Sequence, residues 1–176
     1  MTLYPGLQKA MALTDADRQR IIERIQGLTQ SQIDYRLTPK VWSVGEVLHH
    51  LVRIEVSISK LFNKLIKENH RVIGASDVMC IEVMTYSADG PQHAPEFGIP
   101  VHGRPFGDLL TELAATRERT TQTLAKYTGD DPAELRWTHQ RFGDMGMAHW
   151  GRFIGLHEGH HLRQIERIMT TPGFPR

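Results

Sequence analysis

Cysteine is nearly missing from this chain: Cys80 is the only one in 176 residues, which excludes an internal disulfide and any thiolate cluster for zinc. Such sparing use fits a reducing compartment, so the cytoplasm is the expected location. An excess of charge of one sign is missing too. The 21 Lys and Arg stand against 20 Asp and Glu, a formal net charge of +1, and that balance leaves no electrostatic footprint for nucleic acid or a membrane surface. No run approaches the roughly 20 apolar residues that a bilayer-spanning helix needs. Met1 to Leu13 lacks the cationic start and apolar stretch of a secretory signal. Neither nucleic acid nor membrane is expected as a partner. With no internal repeat or low-complexity tract, the length matches one domain over 1–176.

Helical patterns fill most of the chain. Thr14 with Asp17 resembles an N-cap and first-turn acid, followed by Ile21, Ile22, Ile25 and Leu28 at helical spacing. After a polar linker and Pro39, Ser43 and Glu46 form a capping-box pattern. Val47, Leu51, Ile54, Ile58, Leu61 and Leu65 then trace an amphipathic stripe, which predicts helix two over Ser43 to Lys67. From Glu68 to Arg104 the glycines and prolines oppose a long helix, although Val78 to Tyr86 fits a short one. So long a connection in a compact domain points to a covering loop or a pocket wall. Helix three follows Pro105, with Leu109, Leu110, Leu113 and Leu124 on one face. Trp137 to Met147 reads as loop, and the last helix spans Ala148 to Met169 before Pro172 and Gly173. Four long helices with little strand signal predict an all-α four-helix bundle with a long helix 2 to helix 3 connection.

The chain is rich in histidine, with ten, and three of these fall on the apolar stripes. At about 100° per residue, His157 and His161 share the face of Trp150, Phe153, Ile154, Gln164 and Ile168 in the last helix. Two imidazoles one turn apart on one face can chelate a single ion. On helix two, His50 lies between Val47 and Ile54 and is the natural third ligand, whereas His49 is rotated off by about 100°. Burying three imidazoles without a metal leaves nitrogens to satisfy at about 1–3 kcal/mol each, while one ion accepts all three lone pairs. Three nitrogen ligands with no protein-supplied fourth leave positions open for water or substrate. Zinc or nickel is the expected divalent metal ion.

His157-Glu158-Gly159-His160-His161 also matches the H-E-x-x-H pattern of zinc proteases. The extended form of that motif needs Gly at 164 and His at 167, where this chain has Gln164 and Arg167. Only 15 residues follow His161, which leaves no room for a distant downstream ligand. A zinc protease needs its third ligand downstream, whereas the bundle supplies it upstream.

The segment Trp42-Ser43-Val44-Gly45-Glu46-Val47-Leu48-His49-His50-Leu51 resembles the W-S-x-x-E-h-x-x-H-L signature of the DinB/YfiT-like superfamily, four-helix bundles with metal-binding histidines. His157-Glu158-Gly159-His160-His161-Leu162-Arg163-Gln164-Ile165 resembles that family's H-x-x-H-H-x-x-Q-I ending. The resemblance covers most of the chain and implies the same three ligands, His50, His157 and His161. It further implies one of three functions: a metal-dependent hydrolase or thiol transferase acting on a small molecule, a non-catalytic stress-associated metal- or ligand-binding protein, or a bundle whose metal fixes its packing.

Other residues are weaker candidates for chemistry. Glu46, one turn before His50, can orient it or serve only as capping-box acid. Glu158 is a candidate general base, although its wheel position lies about 60° beyond His161. Gln164 faces the site and can bind a ligand or an imidazole. His49 and His160 offer adjacent imidazoles, and His139, His149 and Trp150 are placed to line a pocket mouth, with the core the more expected place for Trp150. Cys80 has no motif around it. Finally, Val44, Leu48, Val56 and Phe62 lie off the main stripe of helix two. Together with the pairing seen among related bundles, they make a homodimer the expected assembly unless the Glu68 to Arg104 segment covers them.

Overall fold

Proline lacks the N–H that a first-turn residue can spare, and Pro5 opens helix α1 (Pro5–Ile25). The helix thus begins well ahead of the expected Thr14. Leu7, Ala10 and Met11 extend the buried stripe backwards, and Thr14 sits inside the helix, donating from Oγ1 to the carbonyl of Gly151 at 3.0 Å. The computed structural model describes residues 3–69, 71–75, 94–129, 131–140 and 142–176. Cys80 and the short helix expected over Val78 to Tyr86 lie outside these residues.

A five-residue helix, α2 (Gln30–Asp34), interrupts the expected linker; Thr29 and Gln32 close a capping box around its start. Helix α3 (Val44–Glu68) begins as the sequence predicts: Ser43 Oγ accepts from the Glu46 N–H at 3.2 Å, and Glu46 accepts in return from the Ser43 N–H at 2.9 Å. Helix α4 (Phe106–Leu124) follows Pro105. The expected loop before the last helix is instead a hairpin of β1 (Arg136–His139) and β2 (Gly143–Gly146), paired antiparallel with Trp137 opposite Met145. These strands are too short to show a period-2 apolar pattern. Helix α5 (Met147–Met169) completes a four-helix bundle of α1, α3, α4 and α5. Among the described residues no helix is long and apolar enough to cross a membrane.

Helix α1 packs along α5, α3 packs along α4, and α3 also meets α5. Glycine permits the first contact. A Cβ on Gly155 would stand 2.8 Å from the Thr14 Cα, and one on Gly151 would touch Met11 and Ala10. Val44 and Leu48 are fully buried in one apolar cluster, against which Val56 packs, and Phe62 is fully buried in another.

Two apolar clusters fill the bundle, one around Leu7, Phe62, Leu124 and Phe153, the other around Ile21, Leu48, Leu113 and Ile165. Between them lies a buried ionic layer to which each long helix contributes one residue: Arg18 from α1, Glu55 from α3, Arg117 from α4 and Glu158 from α5. Arg18 donates to Glu55 at 2.7 Å, to Glu158, and to the Leu113 carbonyl at 2.9 Å. Arg117 donates to Glu55 and Glu158, at 2.8 Å each, and reaches Asp15 at 2.6 Å. Both glutamate side chains are only 1% exposed. Two positive and two negative charges cancel, which makes their burial tolerable. Burial alone would lower the Arg117 pKa, but Glu158 and Glu55 outweigh it and hold that guanidinium firmly charged.

Removing one partner of such a network strands the others in the core at a cost of about 3–5 kcal/mol. Glu55→Gln should therefore lower the urea midpoint sharply. Glu112→Gln, which breaks the half-exposed Arg104–Glu112 pair, should cost less than about 1 kcal/mol. Equal effects of the two substitutions in urea titrations would show that the buried layer carries no special weight.

Candidate metal centre

The capping box starts α3 at Ser43, and that start sets which of two adjacent histidines turns inward. His50 faces α5, where His157 and His161 stand one turn apart. The His157 Nε2 lies 3.4 Å from the His50 Nε2 and 3.1 Å from the His161 Nε2, and all three rings are buried. One ligand nitrogen from each lies within 4.8 Å of the others; no other histidine, cysteine or carboxylate trio converges in this way among the described residues.

The outer nitrogens of two rings fix their tautomers. His50 Nδ1 is 2.7 Å from the Gly98 carbonyl oxygen, which can only accept, so Nδ1 carries the proton and Nε2 presents a lone pair. His161 Nδ1 likewise donates to the Gln164 Oε1 at 2.7 Å, which frees its Nε2 as an acceptor. Two lone pairs thus face the His157 Nε2, and one N–H there can satisfy only one of them. A single cation satisfies all three nitrogens. The spacing agrees with this, because nitrogens bound about 2.0–2.1 Å from a tetrahedral ion stand about 3.3 Å apart.

The end of the long connection holds these rings in place. A 3-10 turn at Glu96–Gly98 lies against α3, where Arg53 donates to the Phe97 carbonyl at 2.7 Å. Gly98 must be small, since a Cβ there would stand 2.9 Å from the Ile54 Cδ1 and 3.2 Å from the His50 Cε1. Trp42 covers the other side of His50 at 5.0 Å between ring centroids. His49 faces elsewhere and accepts the Val101 N–H at 2.8 Å.

Of the two roles expected for Glu46 the structure shows the capping-box one, and neither Glu46 nor Glu158 is directed at the cluster. Glu46 accepts from Arg36 and the Ser43 N–H and lies 3.4 Å from His102; none of its hydrogen bonds goes to the histidine cluster. Burial pushes its carboxyl up, but Arg36 and Ser43 prevail and lower its pKa. Glu158 belongs to the ionic layer, with Oε1 taken by Arg18 and Arg117, so it is an interhelical tie and not a base directed at the cluster. Burial raises its pKa against the pull of those arginines. With the third histidine upstream and this glutamate engaged, the zinc-protease pattern of the last helix lacks its geometry. Gln164 is where the wheel predicts, and it orients His161.

A cleft of about 1310 Å³ opens over the three histidines. Trp42, Phe97, Trp150 and Phe153 form its apolar wall, and His139 and His160 add further imidazoles. His149 does not line it. Pro95 and Phe97 bring the long connection into the wall, as its length suggested.

A family model for the DinB superfamily matches residues 13–165, a span that contains all three histidines and ends on the Gln-Ile of the last motif. The chain belongs to the DinB superfamily. Among proteins similar to this DinB-superfamily chain is the uncharacterized protein YuaE of Bacillus subtilis (strain 168), 26% identical over 159 residues, which are 90% of this chain and 96% of YuaE. The crystal structure of TT2238, a four-helix bundle protein, superposes with a TM-score of 0.62 at 17% identity, covering 92% of this chain and 98% of that one. At that identity the likeness concerns the fold alone.

Sequence reasoning missed Gly98 and the ionic layer. Gly98 carried no signal, standing among many glycines in the connection. The layer did carry one: Arg18 falls on the buried stripe of α1 between Thr14 and Ile21, and a charge there calls for a buried partner.

Burial lowers the pKa of all three cluster imidazoles, most for His157 and to about 3 for His161, with the neighbouring imidazoles adding to the effect. A base whose folded pKa lies below its unfolded value lends stability above the unfolded pKa near 6.5, and that stability fades as pH falls toward the folded value. Metal-free protein should therefore lose about 3 kcal/mol through His161 alone between pH 7 and pH 4. Urea midpoints across this range in chelator test it, and His161→Gln should flatten the slope.

Proposed function

We propose that His50, His157 and His161 bind one divalent metal ion, zinc or nickel, and that the protein is a metal-dependent enzyme acting on a small molecule by hydrolysis or by transfer involving a thiol. The observation that carries this reading is the convergence of three buried Nε2 atoms, two of them presenting lone pairs by tautomer, at the floor of an open cleft. Metal binding is general in the DinB superfamily, which supports the same reading. A bound ion at such a site supplies Lewis acidity and lowers the pKa of a coordinated water or thiol.

The chain's own groups have separate tasks in this scheme. Gly98 and Gln164 hold the imidazoles in register through their outer nitrogens, as second partners of metal-binding histidines do. The aromatic wall excludes water from one side of the cleft. His160, beside His161 at 5.1 Å between ring centroids, is the group on hand to take a proton from a nucleophile held at the floor.

Elemental analysis of protein purified without added metal should find close to one equivalent per chain. His161→Ala should lose most of it, and Gly98→Ala, which displaces His50 from its carbonyl, should weaken binding by roughly tenfold or more. A full equivalent retained by His161→Ala would overturn the site. Loaded protein should then be assayed for hydrolytic and thiol-dependent turnover.

A further inference from the structure

The cleft has a charge asymmetry that the metal reading does not use. Among the described residues no aspartate or glutamate lines it, yet Lys40 and Arg167 both do. Neither of those side chains has an ion-pair or hydrogen-bond partner among the described residues. A third nearby cation, Lys64, is already committed to the Trp137 ring at 4.2 Å. Arg167 follows His161 by six positions on α5, about 9 Å along the axis at 1.5 Å per residue. It also lines an adjoining pocket of about 240 Å³ that shares Val41, Trp42 and Gln164 with the cleft and likewise has no acid in its wall among the described residues. Beside the cationic edge stands Trp42, which packs on His50 at 5.0 Å and lines both the cleft and the adjoining pocket with Arg167, whereas Phe153 and Trp150 lie beyond the histidines on α5.

We propose that this cleft selects a small amphiphilic anion, with its apolar, ring-bearing body against Trp42 and its carboxylate at Arg167, assisted by Lys40. Unpaired cations beside a low-dielectric wall attract and orient such a group, because each ion–carboxylate contact strengthens where water is partly excluded. The planar guanidinium suits a carboxylate by two parallel bonds, which makes Arg167 the specificity-determining side chain and Lys40 the auxiliary one. The inference deepens the proposed enzymatic reading by naming its substrate class, but the carboxylate contact itself does not depend on a metal.

The test uses 3-phenylpropanoate and its neutral isostere 3-phenylpropanamide as probes. Quenching of Trp42, Trp137 and Trp150 is the readout, taken with chelator-treated protein and again after zinc loading. In the metal-free protein the carboxylate should bind at least tenfold tighter than the amide, and the preference should shrink with added salt. Arg167→Gln, at an exposed position, should abolish most of the preference, and Lys40→Gln should reduce it. Equal binding of the two probes, a preference that survives in Arg167→Gln, or no saturable quenching by either would each overturn the inference. A preference seen only after zinc loading and unchanged by Arg167→Gln would mean that the metal, and not Arg167, reads the carboxylate, and it too overturns the inference. If the histidines hold no metal while the Arg167-dependent preference persists in metal-free protein, the metal reading fails and the anion site stands.

Discussion

The buried layer of Arg18, Glu55, Arg117 and Glu158 constrains everything else in this bundle. Apolar side chains in a helical core are forgiving about rotation and slide, because burial is nearly non-directional. A guanidinium bridging two carboxylates is not forgiving: its bonds hold only over a few tenths of an ångström and a limited range of angle. One member comes from each long helix, so the layer fixes the rotation of all four at once and divides the apolar interior into two clusters.

The histidine cluster inherits that constraint. Glu158 and His157 are neighbours on α5, about 100° apart around its axis. Drawing Glu158 toward α1 and α4 turns His157 and His161 toward α3, where His50 waits. The polarity of the two sites is opposite in kind. The ionic layer is charge-balanced, with each carboxylate held by both arginines. The cluster is neutral and open, with acceptor nitrogens turned toward a cleft.

The long connection has a matching role on the other side. Its final turn lays a carbonyl against His50 and a backbone N–H against His49, so two adjacent histidines of one helix are held for different purposes. The same stretch supplies Phe97 to the cleft wall. A segment that looks like a breaker-rich linker therefore fixes one tautomer and builds part of the cavity.

By itself the sequence determined the bundle and the histidine trio. Helical periodicity is a local property, and the Ser43–Glu46 box and the i, i+4 pair His157 and His161 are written within single helices. Their shared stripe with His50 followed from the need to bury one face. It misplaced the start of α1, because Thr14 with Asp17 has the look of a cap, and only packing against α5 shows Thr14 inside the helix with its hydroxyl on the Gly151 carbonyl. Nor could it separate Glu158 the base from Glu158 the interhelical tie. That choice depends on arginines 41 and 140 positions away in the chain, and only the packing of four helices decides which partner a buried charge meets.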